Sequence, residues 1–363
     1  MSRTPFLNIK KKMKNKKILM SDEHLLYSGR IDFCNRDFPK MIFPYSSVEF
    51  NFKGTYLKIK LINKCNYWDN FLGFIIDGKQ DSVELKKDES EQTITLAENL
   101  EDAEHHVFIF KRQDGCHLIQ LNGLFIDEDG LLLDKLPMKK RCMEFYGDSV
   151  TAGEVSEAVG YEGQLDPEDH MGRYSNSYYS YATIAARALD AQVNLVAQGG
   201  VALLDGTGYF GDEDYLGMES IYDKCQYNPD LDSVTEWNFS DYIPHVVVVS
   251  IGQNDNHPID FMKDDFNGEE AQRWRQEYKR LILDIRSRYK DATIILQTTL
   301  LTHDESWDIA IESVQKELGD DKIHHLMYRR NGSGTLGHLR ISEAQEMAEE
   351  LVEYINGLEG VWE

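Results

Sequence analysis

The sequence predicts a mixed α/β protein of two domains, an antiparallel β-sandwich followed by a parallel sheet with helices on both faces. Its 363 residues exceed the size of one ordinary domain. Apolar residues alternate with polar ones up to about position 136, and from position 140 continuous apolar runs alternate with helix-period segments. We therefore expect a basic tail over 1–22, a β-domain over 23–138 and an α/β domain over 139–363.

Composition narrows the class of partner. The chain is 41% hydrophobic, carries a formal net charge of -24, and has no apolar run near the roughly 20 residues that span a bilayer. Such a charge repels phosphate backbones, polyuronates and phospholipid surfaces. We expect no nucleic-acid and no membrane partner, and a neutral substrate.

The N-terminal segment and the cysteines favour a cytoplasmic protein. Residues 1–17 carry Arg3 and six lysines with no apolar segment behind them, which is typical of a disordered arm rather than a secretory signal. The five cysteines are scattered and show no Cys-x-x-Cys spacing. This pattern indicates reduced thiols and predicts no metal site.

The N-terminal half reads as β-structure. In 57–61, aliphatic residues alternate with lysines, as expected for a strand with one buried face. Similar runs are 74–76, 93–96, 107–111 and 118–125. Turn signals separate or follow them: Asp77-Gly78, Asp114-Gly115, Asn122-Gly123 and Asp129-Gly130. We expect an antiparallel sandwich of the jelly-roll type.

The C-terminal half reads as a parallel sheet. The predicted strands are 142–146, 192–197, 245–251, 293–299 and 322–327. The predicted helices are 176–189, 269–289, 307–318 and 342–355, with Ser342 as the N-cap of the last. Five strands joined by four helices predict a flavodoxin-like, three-layer domain.

The first of these strands ends in Gly147-Asp148-Ser149. A serine at the carboxyl end of a central strand lies where open α/β sheets bind their ligands, which favours a nucleophile. The alternative is a turn in which Asp148 or Ser149 only caps a helix. The tripeptide alone does not decide between them.

Polar residues also follow the later strands, and they belong to the same edge of the sheet. They are Gln198-Gly199-Gly200, Gly252-Gln253-Asn254-Asp255 and Gly337-His338. His338 can take the proton of Ser149 as that serine attacks. The tetrahedral oxyanion would be held by the N–H of Ser149, by the N–H of Gly199 or Gly200, and by the Asn254 amide.

Four other histidines compete with His338 for the role of base. His170 and His257 lie in loops at the same edge and remain alternatives, whereas His324 and His325 fall inside a predicted strand. We prefer His338 for its position.

In these residues the chain resembles the SGNH (GDSL-type) hydrolases. The preceding β-sandwich makes it similar to carbohydrate esterase family 2 in particular. Segments similar to that family are Tyr27-Ser28-Gly29-Arg30, Phe52-Lys53-Gly54-Thr55, 106–112, 147–153 and 185–189. The resemblance implies an acetyl xylan esterase-like serine esterase. It would remove O-acetyl groups from xylan or glucomannan fragments through an acyl-enzyme, with no metal or other cofactor.

The sequence departs from the family pattern near both ends of the site. Gln253 replaces a threonine before Asn254, and Leu336-Gly337-His338-Leu339 stands where the family has Asp-Trp-His-Pro. The acid that normally orients the histidine is therefore missing. We hypothesise a Ser149–His338 dyad in which a backbone carbonyl orients the ring; a carboxylate from elsewhere in the chain is the rival. Asp148 is expected to support the turn without a direct role.

Two long insertions would shape the cleft, at 154–175 and at 205–242. The second is rich in aromatic rings, which suit stacking on sugars but also fill small cores. We take Tyr209, Trp237 and Gln253 as candidate substrate contacts.

The leading hypothesis is a cytoplasmic esterase acting on short acetylated oligosaccharides. A lipid or thioester hydrolase of the same fold is one alternative. A sugar-binding protein with a decayed catalytic site is the other. A homo-oligomer is compatible with the sequence, but nothing in the sequence establishes one.

Overall fold

The structure is a computed structural model that describes residues 15–363. Its N-terminal domain consists of twelve strands. They are β1 Asn15–Ile18, β2 Leu26–Ser28, β3 Ile31–Asp32, β4 Lys40–Met41, β5 Ser47–Gly54, β6 Leu57–Cys65, β7 Phe71–Ile76, β8 Lys79–Glu84, β9 Gln92–Ala97, β10 Ala103–Lys111, β11 His117–Asp127 and β12 Leu131–Leu132. The alternating runs of the sequence predict the long strands among them.

These strands form two antiparallel sheets that enclose a common apolar core. One sheet has the order β3-β4-β11-β6-β9, with β1 also paired to β11. The other has the order β12-β5-β10-β7-β8, with β2 also paired to β5. Strand β1 lies within the predicted tail, so residues 15–18 belong to this sheet rather than to a disordered arm; residues 1–14 of that tail lie outside the described residues.

One predicted turn is wrong. Asn122-Gly123 lies inside β11, at a shift in the register between β11 and β6. On its other edge β11 pairs with β4 up to Gln120 and with β1 from Leu124 onward. Gly123 has a φ of 144°, which a side chain would disfavour. The dipeptide therefore marks a bulge where the strand changes partner.

The C-terminal domain alternates strands and helices. Its elements are β13 Arg141–Gly147, α1 Ser149–Ala152, α2 Tyr181–Ala188, β14 Ala191–Ala197, α3 Met218–Ile221, β15 Lys224–Gln226, β16 Thr235–Glu236, β17 Val246–Ser250, α4 Phe261–Asp264, α5 Glu269–Arg288, β18 Thr293–Gln297, α6 Ser306–Leu318, β19 Ile323–Leu326 and α7 Ile341–Gly357. Helix α2 begins later than predicted because the Ser180 hydroxyl accepts a hydrogen bond from the Ala182 N–H and caps it there.

Five of these strands build one parallel sheet, in the order β14-β13-β17-β18-β19. Residues of α5 and α6 pack in the core on one face, and residues of α2 and α7 in the core on the other. Because both faces are covered, β17 is buried along its whole length and begins with four consecutive valines. Within residues 15–363, no helix is both long and apolar enough to cross a membrane.

A buried ion pair joins the two domains. The Arg30 guanidinium lies 2.9 Å from the Glu144 carboxylate in the middle of β13, and both side chains are fully buried. Arg30 also donates to the Tyr146 hydroxyl and to the carbonyl oxygens of Tyr222 and Lys224. The charge is therefore surrounded by acceptors, as a buried guanidinium requires.

Removing this charge leaves Glu144 buried without its counter-ion. We expect Arg30→Met to lower the free energy of unfolding by about 3–5 kcal/mol, measured by urea denaturation. Arg273→Ala, at an exposed site on α5, should change it little. Equal effects of the two variants would contradict the role of the pair, and adding Glu144→Met to Arg30→Met should restore part of the loss.

Candidate active site

The turn after β13 places Ser149 at the start of α1. Asp148 is the N-cap, and its Oδ1 accepts a hydrogen bond of 2.9 Å from the Val150 N–H. A Cβ on Gly147 would lie 2.1 Å from the Thr151 hydroxyl, so only glycine fits this sharp turn. Ser149 is 6% exposed. The two alternatives from the sequence are thus compatible: Asp148 caps the helix while Ser149 occupies the edge of the sheet.

Asp148 supports this turn, as predicted. Its Oδ2 accepts hydrogen bonds from the Gln253 amide at 2.6 Å and from the Asn254 amide at 3.3 Å. The Thr299 hydroxyl donates to the other end of the Gln253 amide. Burial raises the pKa of Asp148, and the hydrogen bonds from Val150 and Gln253 oppose that rise. Gln253 is buried and holds Asp148 in position, and the contact with substrate that we expect of it stays a prediction.

The imidazole of His338 is oriented by a carboxylate. Its Nδ1 lies 2.5 Å from Oδ2 of Asp166, and its backbone N–H donates to Oδ1 at 3.0 Å. Asp166 belongs to the insertion at 154–175. The hypothesis of a dyad with a backbone carbonyl is therefore wrong, and its rival, an acid from elsewhere in the chain, describes the site.

Asp166 is held in place by a buried arginine. The Arg340 guanidinium lies 2.9 Å from Oδ1 of Asp166 and is almost fully buried. Burial alone would raise the pKa of Asp166, but the hydrogen bond from His338 and the charges of His338 and Arg340 hold it well below its usual range. The carboxylate is therefore ionised at neutral pH, which is the form that stabilises a protonated imidazole.

The start of α7 fastens the same insertion. The Glu343 carboxylate accepts hydrogen bonds from the Arg340 N–H at 2.8 Å and from the Gly163 N–H at 3.0 Å. Helix α7 consequently begins at Ile341 with Arg340 as its N-cap, two residues before the predicted cap Ser342. Glu343 thus serves the helix and the loop together.

The second ring nitrogen of His338 lies close to Glu154, in the segment that follows Ser149. Nε2 lies 3.9 Å from the Glu154 carboxylate, and the Glu154 N–H donates to the Ser149 carbonyl oxygen at 3.0 Å. The charge of His338 also lowers the pKa of Asp148, the neighbour of Ser149. The structure therefore brings Ser149 and His338 to one site, as the position of His338 predicts.

Two of the competing histidines pack against aromatic rings, and the other two lie in a strand. The ring of His170 packs edge-on against Trp68 at 4.4 Å, and burial lowers its pKa. The ring of His257 packs against Tyr209 at 5.0 Å. His324 and His325 lie in β19, as predicted.

The oxyanion donors are only partly as expected. The Gly199 N–H donates to Oδ2 of Asp114 at 2.6 Å, so in this structure it is committed to a carboxylate from the β-domain. The Asn254 amide donates to the Val201 carbonyl at 3.1 Å in addition to Asp148. Of the two glycines considered as oxyanion donors, Gly199 thus has its N–H occupied, and Gly200 stays the predicted alternative.

The two aromatic residues predicted to contact substrate, Tyr209 and Trp237, lie in different parts of the structure. Tyr209 is 60% exposed, and its N–H donates to the Gly200 carbonyl, which places the ring beside the site. Trp237 instead lies under the Arg30 guanidinium at 5.1 Å, beside the interdomain ion pair. Of the two rings, Tyr209 is the exposed one near Gly200, and its contact with substrate stays a prediction. Within the described residues, no cluster of three or more His, Cys, Asp or Glu side chains is arranged to hold a metal ion.

Comparison with known proteins shows which proteins this chain is similar to. Residues 27–135 match the family model "Carbohydrate esterase 2 N-terminal". Cellulase/esterase CelE of Acetivibrio thermocellus is 30% identical over 340 residues, which cover 90% of this chain but 38% of CelE. An acetylxylan esterase / glucomannan deacetylase of Cellvibrio japonicus is 27% identical over 77% of this chain and 72% of its own length.

A solved structure of a family two carbohydrate esterase from Clostridium thermocellum, in complex with cellohexaose, superposes with a TM-score of 0.77 at 29% identity, covering 92% of this chain and 98% of that one. The resemblance to carbohydrate esterase family 2 is confirmed. A second family two esterase, from Cellvibrio japonicus, superposes with a TM-score of 0.78 at 23% identity, over 94% of this chain and 97% of that one, and shares the fold. The chain spans little more than a third of the length of CelE.

The departure from this family's pattern near the histidine has a structural counterpart. A Cβ on Gly337 would lie 2.6 Å from Oδ1 of Asp166 and 2.7 Å from the Gln164 carbonyl. The glycine that replaces the family's tryptophan thus admits the loop that carries the acid. Asp166 was missed from sequence because no pattern links the two positions; a glycine beside the histidine was the one signal of a close chain approach.

The orientation of His338 by Asp166 can be tested on the serine itself. We expect Asp166→Asn to slow covalent labelling of Ser149 by an organophosphonate by about 10²- to 10⁴-fold, because the imidazole loses its fixed tautomer and its counter-charge. Labelling is followed by the mass of the intact protein. Asp169→Asn, at an exposed site in the same insertion, should label at the unmodified rate; similar rates for both variants would remove Asp166 from the site.

Proposed function

We propose that the protein is a serine esterase that removes O-acetyl groups from acetylated sugars, with xylan- or glucomannan-derived oligosaccharides as substrates. The observation that carries this proposal is the His338 ring, fixed by an ionised Asp166 and close to Glu154, whose N–H donates to the Ser149 carbonyl oxygen. Two relatives named for this chemistry, CelE and the Cellvibrio deacetylase, support it. The family likeness favours this carboxylic ester hydrolase over the lipid or thioester hydrolase that we also considered.

The geometry suits an acyl-enzyme route. The Ser149 hydroxyl attacks the acetyl carbonyl while Nε2 of His338 takes its proton. The bond to the sugar oxygen then breaks, and His338 returns the proton to that oxygen. Water attacks the acetyl-serine with His338 again as base, releasing acetate and restoring Ser149. Asp166 stabilises the protonated ring in both halves of the reaction.

The charge around the site favours an uncharged substrate. The negative charges of Asp114, Asp148 and Asp166 all lie close enough to raise the pKa of Glu154. A negative charge on the sugar or on the acyl group would be repelled there. This supports acetyl esters of neutral sugars over esters of uronic acids.

We also propose a flavodoxin-like core, a jelly-roll β-domain and a cytoplasmic location. The sheet order β14-β13-β17-β18-β19 corresponds to 2-1-3-4-5 in chain order, which supports a flavodoxin-like core. The two antiparallel sheets are compatible with a jelly roll. A cytoplasmic location, with short oligosaccharides as substrates, remains a prediction from the sequence.

One observation favours a second candidate, a sugar-binding protein without catalysis. The Gly199 N–H, a predicted oxyanion donor, is occupied by Asp114. An oxyanion hole with fewer donors stabilises the transition state less. The test of activity decides between the two candidates.

Ser149→Ala removes the nucleophile. We expect it to lower acetate release from acetylated xylo- and manno-oligosaccharides, and hydrolysis of 4-nitrophenyl acetate, by at least about 10³-fold. Ser287→Ala, at an exposed site on α5, should retain full activity. An unmodified protein with no more activity than Ser149→Ala would favour the sugar-binding candidate.

Tyr209 offers an exposed ring beside Gly200 for stacking on a sugar. We expect Tyr209→Ala to raise KM for an acetylated oligosaccharide about 2- to 10-fold with kcat nearly unchanged, because a stacking contact contributes to binding. Tyr209→Phe keeps the ring and should keep KM. The same rise in KM for both variants would assign the effect to the hydroxyl instead.

A further inference from the structure

A groove of about 1030 Å³ lies between the two domains. Arg141 and Gln192, near the starts of β13 and β14, line it, whereas Ser149 follows the end of β13. A rise of about 3.3 Å per residue puts about 20 Å between the two ends of β13. Ser149, Asp166 and His338 are not among the described residues that line the groove. It is therefore separate from the candidate active site, and it is large enough for a small-molecule ligand.

Aromatic rings from both domains line this groove. Tyr45 and Phe108 belong to the β-domain, and their ring centroids lie 5.4 Å apart. Tyr178, in the segment before α2, has its ring centroid 6.3 Å from that of Tyr45. All three residues are partly exposed. Aromatic faces of this kind suit stacking on the rings of sugars.

The backbone of Tyr45 is held in an uncommon conformation. Its φ of 61° lies in the left-handed region, which residues other than glycine seldom adopt. The Tyr45 N–H donates to the Lys111 carbonyl at 2.9 Å, and the Lys111 N–H donates to the Ser46 carbonyl at 2.9 Å. Strain of this kind persists where the surrounding structure enforces it, and it is frequent at ligand sites. The Tyr45 ring is therefore placed at the groove before any ligand binds.

Three side chains that line the groove have polar atoms without a hydrogen-bond partner among the described residues. These atoms are Oγ of Ser47, Oε1 of Gln192 and Nη1 of Arg187. The other end of the Gln192 amide donates to the Ser28 hydroxyl at 3.1 Å, which joins the two domains beside the groove. Buried polar groups are nearly always paired, because an unpaired one costs free energy. A ligand with hydroxyl groups offers both the donors and the acceptors that would pair them.

The charges at the groove favour an uncharged ligand. Glu49 lies 2.8 Å from His106, and Lys139 lies 3.4 Å from Asp190. All four residues line the groove, so both of its carboxylates already have a basic partner. The formal net charge of -24 on the whole chain also opposes the approach of a polyanion.

We propose that this groove is a second, noncatalytic binding site for an uncharged oligosaccharide. Its sugar rings stack on Tyr45 and Phe108, and its hydroxyl groups pair with the side chains of Ser47, Gln192 and Arg187. Both domains build the site, so it exists only while they keep their relative position. The inference does not depend on the proposed esterase reaction, because no bond is made or broken in the groove.

The test measures binding without turnover, in Ser149→Ala protein. We expect at least one of xylohexaose and mannohexaose to bind, as followed by isothermal titration calorimetry. Adding Phe108→Ala should raise the Kd at least about tenfold, because a stacking ring is lost. Phe108→Tyr keeps the ring and should leave the Kd within about threefold of the Ser149→Ala value. Gln192→Leu is a second groove variant and should weaken binding in the same direction. An unchanged circular dichroism spectrum shows that each variant folds.

Tyr209→Ala separates the groove from the candidate active site. Added to Ser149→Ala, it should leave binding in the groove unchanged, since Tyr209 lies beside Gly200. Where the titration resolves two sites, Phe108→Ala should weaken one of them and Tyr209→Ala the other. Binding that is lost with Tyr209→Ala and kept with Phe108→Ala would belong to the active site and would overturn the proposal.

The choice of ligand gives further outcomes that would overturn it. These are no binding of either neutral hexasaccharide at millimolar concentration, tighter binding of a galacturonic acid oligomer, and tighter binding of dodecanoate. The last two would make the groove a site for anions or for lipids. An inactive unmodified protein would refute the esterase function alone, and the inference would stand if Phe108→Ala still weakened saccharide binding.

Discussion

The ion pair between Asp166 and Arg340 is the interaction on which the geometry of the site depends. Arg340 is almost fully buried, and leaving its charge without the carboxylate would be costly. This constraint draws the insertion at 154–175 onto the start of α7. His338 then receives its acid from a position 172 residues away in the chain, and the ring is fixed by a contact that tertiary packing alone creates.

The β-domain takes part in the same site rather than standing beside it. Its turn between β10 and β11 carries Asp114 to the carboxyl edge of the parallel sheet, where the Gly199 N–H binds it. At the middle of β13, Arg30 inserts a second charged group of the β-domain against Glu144. Both contacts are buried and polar, so their geometry depends on the two domains keeping one relative position.

The strand boundaries and the edge of the sheet that carries the site could be predicted from the sequence, because local periodicity and strand topology control them. β13, β14 and β17 begin and end within one residue of the predicted strands, because buried parallel strands are continuous apolar runs. The segments that carry Ser149 and His338 come together at Glu154 because loops after parallel strands share one edge. The role of Asp166 and the hydrogen bond at the Gly199 N–H could not be predicted from the sequence. Each depends on the packing of one loop against another, and no spacing in the chain indicates that packing. The bulge at Asn122-Gly123 was mistaken for a turn for the same reason: its cause is a change of partner strand.

The number of donors around each carboxyl group decides where a proton resides in so acidic a site. Like charges at short range cannot all ionise, and hydrogen bonds to a carboxylate favour its charged form. Three of the four carboxyl groups accept several hydrogen bonds: Asp114 from Tyr67, Cys116 and Gly199, Asp148 from Val150, Gln253 and Asn254, and Asp166 from His338 and Arg340. Burial and the charges of Asp114, Asp148 and Asp166 raise the pKa of Glu154, and a hydrogen bond between its side chain and Asp114 adds to that rise. Ionisation is therefore least favoured at Glu154 among the four carboxyl groups.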